Sequence, residues 1–230
     1  MPQKKEIEAR KNGIILVNKP SGITSHDVVD IARRKLGCRR IGHAGTLDPL
    51  AQGLLIILVG SHTKMFDKFV NFDKKYEGTL KLGKVTSTGD SEGQILAVKD
   101  WKGISACQIK NVFETFQGEI EQVPPMVSAL RRGGKRLYKL ARKGVIIKLK
   151  PRKITIYECS PQEIRLPFVD FFVHCSKGTY IRKLSEDIGS KLGCGAHVTK
   201  IVRLKIGPFS VEKAVNPGEI NESHLQKFTS

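Results

Sequence analysis

Six apolar residues in succession, Leu54-Leu55-Ile56-Ile57-Leu58-Val59, constrain the fold of this chain more than any other segment. With no polar residue at alternate positions, neither face of such a strand can meet water, so it belongs in the middle of a sheet covered on both sides. The run is a strand's length and far short of the roughly 20 residues of a membrane span. Leading into it is Gly42-His43-Ala44-Gly45-Thr46-Leu47-Asp48-Pro49-Leu50-Ala51-Gln52-Gly53, in which three glycines and one proline tightly constrain the backbone. A carboxylate and an imidazole on such a loop are displayed by a rigid scaffold. Alone, Asp48 before Pro49 also reads as an ordinary turn residue, and His43 as a loop histidine satisfied by a carbonyl.

The remaining pattern supplies the partners of that strand. Residues 14–17 form a short apolar run closed by the turn Lys19-Pro20-Ser21-Gly22. Thr24 and Asp27 make a capping box for a helix carrying Val28, Ile31, Ala32 and Leu36 up to Gly37. Ser61 is expected to cap a short helix with Met65, Phe66, Phe69 and Val70, and residues 76–82 alternate as a strand. Ser105 and Gln108 open a helix with Ile109, Val112, Phe113 and Phe116 on one face, ended by Gly118. Strands are expected around 126–130, 145–149, 154–157, 169–175 and 198–206, with a helix over 179–192 stopping at Gly193. Strands outnumber helices without alternating with them. The pattern therefore predicts an α+β fold, a mixed, mainly antiparallel sheet flanked by helices. No repeat or long linker interrupts the chain, which argues for one continuous domain over residues 13–210, between an extension at 1–12 and a tail at 211–230 that has room for a last helix near Asn221 or Ser223.

Forty Lys and Arg against 22 Asp and Glu leave a formal charge of +18. On a folded domain that excess points to a polyanionic partner, and nucleic acid fits better than a membrane because no basic amphipathic helix with an aromatic apolar side stands out. The five cysteines, Cys38, Cys107, Cys159, Cys175 and Cys194, are odd in number and form no Cys-x-x-Cys pair, so they read as reduced thiols, most of them core residues, in a cytoplasmic protein. Residues 1–11 lack the apolar stretch of a signal peptide. Histidine and cysteine spacing gives no zinc site, and no Walker or dinucleotide loop appears, so neither a metal nor a nucleotide cofactor is expected.

The glycine-rich segment resembles the signature loop of TruB-type tRNA pseudouridine synthases, Gly-His-x-Gly-x-Leu-Asp-Pro-x-Ala-x-Gly-x-Leu, with no mismatch at a fixed position. Further blocks are similar: Asn18-Lys19-Pro20-Ser21-Gly22-Ile23-Thr24-Ser25, with Asn18 where many members have Asp; Lys74-Lys75-Tyr76 followed by Leu82-Gly83 and residues 86–93; 125–130; 134–144; 174–182; and 192–198. Together they span residues 13–210. The resemblance implies the pseudouridine synthase fold and an enzyme, active without a cofactor, that flips uridine 55 of the tRNA T-loop out of its stack and reattaches its base through carbon. A monomer acting on the T-stem-loop is the simplest expectation. Many members continue into a PUA-type RNA-binding domain, and the residues after Gly207-Pro208-Phe209 are too few for one.

By the same resemblance Asp48 is the essential carboxylate. Attack on the base, attack on ribose C1′ and removal of a ribose proton are all compatible with it. Arg182 corresponds to the arginine that pairs with that aspartate, since a guanidinium keeps a poorly solvated carboxylate ionised. Tyr76 matches the aromatic that stacks on the uracil, and Tyr180 the tyrosine that handles the proton at C5. His43 matches the residue that helps fill the place of the extruded nucleotide. Ile201 lines the base pocket, Asp90 is a polar neighbour of the site, and Lys19 and Pro20 shape the adjoining loop. Arg131, Arg132, Lys135, Arg136 and Arg142 are expected to grip backbone phosphates. Two rival readings stand beside this one: a pseudouridine synthase of another branch, and a non-catalytic RNA-binding protein.

Overall fold

The computed structural model describes residues 11–125, 131–132, 135–136, 147 and 149–228. Among these, thirteen strands and four α-helices occur in the order β1 (Gly13–Lys19), α1 (Ser25–Leu36), β2 (Ile41–Ala44), β3 (Gln52–Val59), α2 (Phe66–Val70), β4 (Lys74–Leu82), β5 (Lys84–Thr86), β6 (Ile95–Val98), α3 (Ala106–Glu114), β7 (Gly118–Gln122), β8 (Arg131–Arg132), β9 (Lys135–Arg136), β10 (Arg152–Arg165), β11 (Phe168–Cys175), α4 (Ile181–Lys191), β12 (Ala196–Ile206) and β13 (Phe209–Ser210). The chain divides into two compact units, Met1–Tyr76 with Val202–Ser230, and Glu77–Ile201.

In the first unit β3 is central, and each of its residues from Leu54 to Val59 is almost wholly excluded from solvent. β1 lies antiparallel along one edge, from Gly13 opposite Val59 to Lys19 opposite Gly53. The other edge is shared: β2 covers it antiparallel from Ile41 opposite Val59 to Ala44 opposite Ile56, and β12 meets it in parallel at Val202–Gln52 and Arg203–Gly53. On one face Ile14, Leu16, Leu54, Ile56 and Leu58 pack with Phe69 and Ile206, bordered by Phe72, Phe209 and Phe228. α1 buries Val28, Val29, Ala32 and Leu36 and packs against β2. Its capping box forms as the sequence predicts, with Thr24 as N-cap and Asp27 returning the bond.

In the second unit the strands run β12-β4-β11-β10-β7, and β5 pairs with β6 as a separate ribbon. β10 and β11 make a long antiparallel hairpin and β7 adds antiparallel to β10. α3 lies against β10, with Ile109 and Phe113 buried and Phe113 packed 6.1 Å from Phe171 between ring centroids. The pairs β1–β3, β2–β3, β5–β6, β7–β10, β8–β9, β10–β11 and β12–β13 are antiparallel and β3–β12 is parallel, so the architecture is the mixed α+β one predicted.

Local differences have local causes. Ser61 caps nothing: it lies inside a 3-10 turn, Gly60–Met65, and α2 starts at Phe66 without a side-chain cap. His43 sits on β2 rather than in the loop, because Gly42-His43-Ala44 finds a ladder partner on β3 that spacing alone does not reveal. β5, β6 and β7 carry no alternating signal and were not anticipated. β6 is four apolar residues lying largely in solvent, and β7 is a polar edge. Near the C-terminus Asn221 does act as a cap, though of a single 3-10 turn, Glu222–His224. The strand expected at 126–130 and most of that at 145–149 lie outside the described residues. Four of the five free cysteines are buried and Cys107 is exposed.

Candidate active site

Residues 45–51 connect β2 to β3 and carry Asp48. Such a loop has almost no repetitive hydrogen bonding of its own, so its shape depends on partners. Ala51 N–H donates to the Asp48 carbonyl at 3.1 Å, closing a tight turn over Pro49 and Leu50. Ser25, the first residue of α1, holds Leu47 at both main-chain groups: its hydroxyl donates to Leu47 O at 3.0 Å and accepts from Leu47 N–H at 2.8 Å. Gly22 N–H donates to Pro49 O at 2.9 Å and the Ser21 hydroxyl to Leu50 O at 3.1 Å. Lys19 is 0% exposed, and its ammonium donates to Pro20 O at 2.8 Å, Ile23 O at 2.6 Å and Pro49 O at 3.3 Å. A lysine is buried to that degree only when its donors are met, and here carbonyls meet them. The two segments most alike to the family's signature blocks, 18–25 and 42–54, are thus bonded to each other. Asp48 is half-buried between buried Leu47 and exposed Pro49, His43 is half-buried on β2, and Tyr76 is buried near the start of β4.

Arg203 fixes the same loop from β12. It is 2% exposed; Nε donates to Leu54 O and Nη2 to Gly45 O, both at 2.8 Å.

In the second unit Arg182 and Asp90 come together. Arg182, in the first turn of α4 and buried, donates from Nη1 to Thr88 O at 2.8 Å and lies 3.7 Å from Asp90 Oδ2. Asp90 is itself held: its Oδ1 accepts from the Thr88 hydroxyl and, at 3.1 Å, from Glu92 N–H. Val198 N–H donates to Gly89 O at 3.0 Å, tying this turn to β12. Glu186, one turn along α4, has its carboxyl pushed up by burial, against the pull of Lys183. Tyr180 is the N-cap of α4, and buried Gln122 secures its main chain on both sides, accepting from Tyr180 N–H at 2.8 Å and donating to Tyr180 O at 3.2 Å. Ile201 is buried on β12.

Of the basic residues expected on phosphates, Arg131 and Arg132 pair with Arg136 and Lys135 in a two-stranded hairpin, β8–β9. Arg142 lies outside the described residues. Sequence reasoning did not single out Ser25, Gln122 or Arg203. A signal existed for Arg203: it is two residues beyond Ile201 on one strand, so the period of two puts a cation on a face otherwise read as apolar.

This sheet, with an acid-bearing loop entering its buried strand, is the fold of the pseudouridine synthases. The sequence matches the TruB family pseudouridylate synthase N-terminal domain over residues 33–181 and the tRNA pseudouridylate synthase B C-terminal domain over residues 182–227. It is 50% identical over 204 residues to the tRNA pseudouridine synthase B of Syntrophotalea carbinolica, covering 89% of this chain and 67% of that one. Identity to the Clostridium tetani protein of the same name is 47% over 217 residues, covering 94% and 75%. Among solved structures, a Cbf5-Nop10-Gar1 complex superposes with a TM-score of 0.70 at 30% identity over 93% of this chain, and an H/ACA RNP bound to a substrate RNA containing 2′-deoxyuridine with 0.64 at 28% over 91%. The chain spans about half the length of those two, 55% and 51%. The chain belongs to the TruB family of pseudouridylate synthases. Among the described residues no helix is long and apolar enough to cross a membrane.

Proposed function

We propose that the protein isomerises uridine 55 in the T-loop of tRNA to pseudouridine, as a monomer and without a cofactor, with Asp48 as the essential carboxylate. The observation that carries this reading is the restraint on residues 45–51. Ser25, Lys19 and Arg203 hold the segment that carries Asp48 through its main chain. Fixed placement of a reacting group is a large part of what an enzyme supplies. Relatives named tRNA pseudouridine synthase B, and a same-fold complex solved with a substrate RNA, support the substrate class.

The other roles follow the family resemblance. Tyr76 offers a π-face to replace the stacking that a flipped uracil gives up. Tyr180 handles the proton at C5, and Arg182 is the guanidinium partner of the carboxylate, with Asp90 holding it. His43 helps fill the vacated place in the RNA and Ile201 lines the base pocket. Arg131, Arg132, Lys135, Arg136 and Arg142 contact phosphates. If each meets one, the affinity should fall with salt at a log–log slope of about −3.5 to −4.5.

The test is release of tritium from a T-stem-loop RNA carrying 5-³H-uridine. Wild type should release it with no added cofactor, and Asp48→Asn should lose at least about 1000-fold in rate, equivalent to roughly 4 kcal/mol, while RNA affinity is kept. Release by neither would leave an RNA-binding protein without this chemistry, and equal release by both would leave an enzyme whose essential carboxylate is not Asp48.

A further inference from the structure

β3 has one edge shared by two strands that diverge from it. β12 covers that edge at Gln52 and Gly53, and β2 covers it from Ile56 to Val59. Between them lies a fork, and the loop bearing Asp48 leaves β2 and re-enters β3 around it. The Leu54 carbonyl lies in the fork, beyond the β12 pairs and short of the β2 pairs. Arg203 fills this gap with its side chain: Nε takes Leu54 O, and Nη2 reaches Gly45 O, the first residue after β2. One planar guanidinium therefore bonds both stems of the loop at once.

The motif's glycines follow the same geometry. A Cβ on Gly53 would come within 2.4 Å of Arg203 O, and one on Gly45 would sit 3.5 Å from Arg203 Nη1. Two glycines of the signature segment thus lie against one arginine 150 or more residues away in sequence (203 − 53 = 150; 203 − 45 = 158). Satisfying Leu54 O alone would not need a buried cation. The second bond, across to Gly45, matters only if the distance between the two stems has to be fixed. Burying a charge is unfavourable unless its donors are met, and an apolar residue would fill the space at less cost.

We infer that Arg203 is a positioning residue that sets the Asp48 loop by bonding its two stems, and so acts on the chemical step rather than on RNA binding. The inference rests on Asp48 being the reactive carboxylate. Three variants of the full chain test it, Arg203→Met, Arg203→Lys and Asp48→Asn, each measured on a T-stem-loop RNA for single-turnover rate and for affinity. Arg203→Met should slow isomerisation at least 100-fold with affinity unchanged within about threefold. Arg203→Lys keeps the charge but cannot span both carbonyls in a planar fork, so it should recover part of the loss and remain about 10-fold slow. Amide exchange should rise at Leu47 and Ala51 while Ile15 and Ile57 stay protected.

A wild-type rate in Arg203→Met overturns the inference, as does a loss of affinity that matches the loss of rate, or a uniform rise in exchange. If Arg203→Met does not fold, Arg203→Lys decides, and a wild-type rate there overturns it equally. Should Asp48→Asn keep the wild-type rate, the reading of the site fails. The exchange pattern then still judges the clamp: unchanged protection at Leu47 and Ala51 removes it.

Discussion

The loop that carries Asp48 and the helix start that carries Tyr180 are both held through their main chains, but by very different means. Residues 45–51 are bonded by Lys19, Ser21, Gly22 and Ser25 from one side and by Arg203 from β12. At Tyr180 a single neutral amide, Gln122, meets both the N–H and the carbonyl. The difference follows from what each segment can do for itself. Once past Tyr180 the chain is α-helical and each residue is fixed by the ladder, beginning with Leu184 N–H on Tyr180 O at 3.0 Å. The loop has one such bond, Ala51 to Asp48, so side chains from elsewhere must supply the rest. Rigidity at a reacting group can be inherited from secondary structure or assembled from distant residues, and the assembled kind is the more fragile.

The largest test of that fragility is Gly53→Ala. The new Cβ would meet Arg203 backbone O at 2.4 Å and N at 2.8 Å, at a φ of +100. Overpacking and backbone strain together should cost about 3 kcal/mol or more, a fall in Tm of roughly 6–12 °C. Gly22→Ala is the control: its φ is +89, with nothing within 4 Å of the added atom. Only strain remains there, about 1 kcal/mol in thermal or urea melts. Equal losses would mean that the approach of β12 to β3 is not what restricts position 53.

Next in size is Gln122→Leu. It removes both bonds to Tyr180 and takes the Gln122 partner from its N–H, while the carbonyl keeps Leu184 N–H, at a cost of roughly 2 kcal/mol. Because α4 carries the chain onward, exchange should quicken at Tyr180 while Leu184 and Ile188 remain protected. Loosening of the whole helix would contradict the claim that one residue suffices. Ser25→Ala takes away the corresponding pair of bonds on Leu47, from a smaller side chain, and should cost roughly 1–2 kcal/mol. With Lys19 and Arg203 still in place, the loop should keep most of its protection. A collapse of protection at Ala51 in this variant would show that Ser25 alone holds the turn.

The same contrast explains which features were legible in the sequence. The buried strand, both capping boxes and the alternation of β4 are encoded in neighbours a few residues apart, and a period or a spacing reveals them. The Asp48 loop was visible because its glycines and proline lie side by side. What holds that loop was not, because Ser25 reaches Leu47 across 22 residues and Arg203 reaches Gly45 across 158. Main-chain clamps of this kind read no side chain at the far end, so nothing in the loop's own sequence announces them. Gln122 is hidden for the same reason on a polar edge strand, 58 residues from Tyr180. Arg182 and Asp90 were legible through the resemblance alone, and their mutual contact appears only once α4 and the 88–90 turn are folded.

The smallest effect separates the two units by pH. α1 and α3 both begin with a capping box, but α1 closes its box with Asp27 and α3 closes its with Gln108, so only the first can titrate. The Asp27 carboxylate accepts from Thr24 N–H at 2.7 Å and from the Thr24 hydroxyl at 2.8 Å, and the backbone bond foremost lowers its pKa below the usual 3.8. A carboxyl whose folded pKa is depressed contributes stability that is complete above its unfolded value and is lost as pH falls through the folded one. As pH falls below 3.8 the start of α1 should therefore loosen, seen as lower protection factors at the Asp27 and Val28 amides, while the Gln108 and Ile109 amides of α3 keep theirs. Asp27→Asn, which retains an acceptor without the charge, should flatten the pH dependence at α1 and leave α3 untouched. Since Ser25 lies in that first turn, acid should also release Leu47 before it releases Tyr180. If both helix starts loosen together, a global acid transition has overtaken the local one and the charge on Asp27 has no separate part in holding the loop.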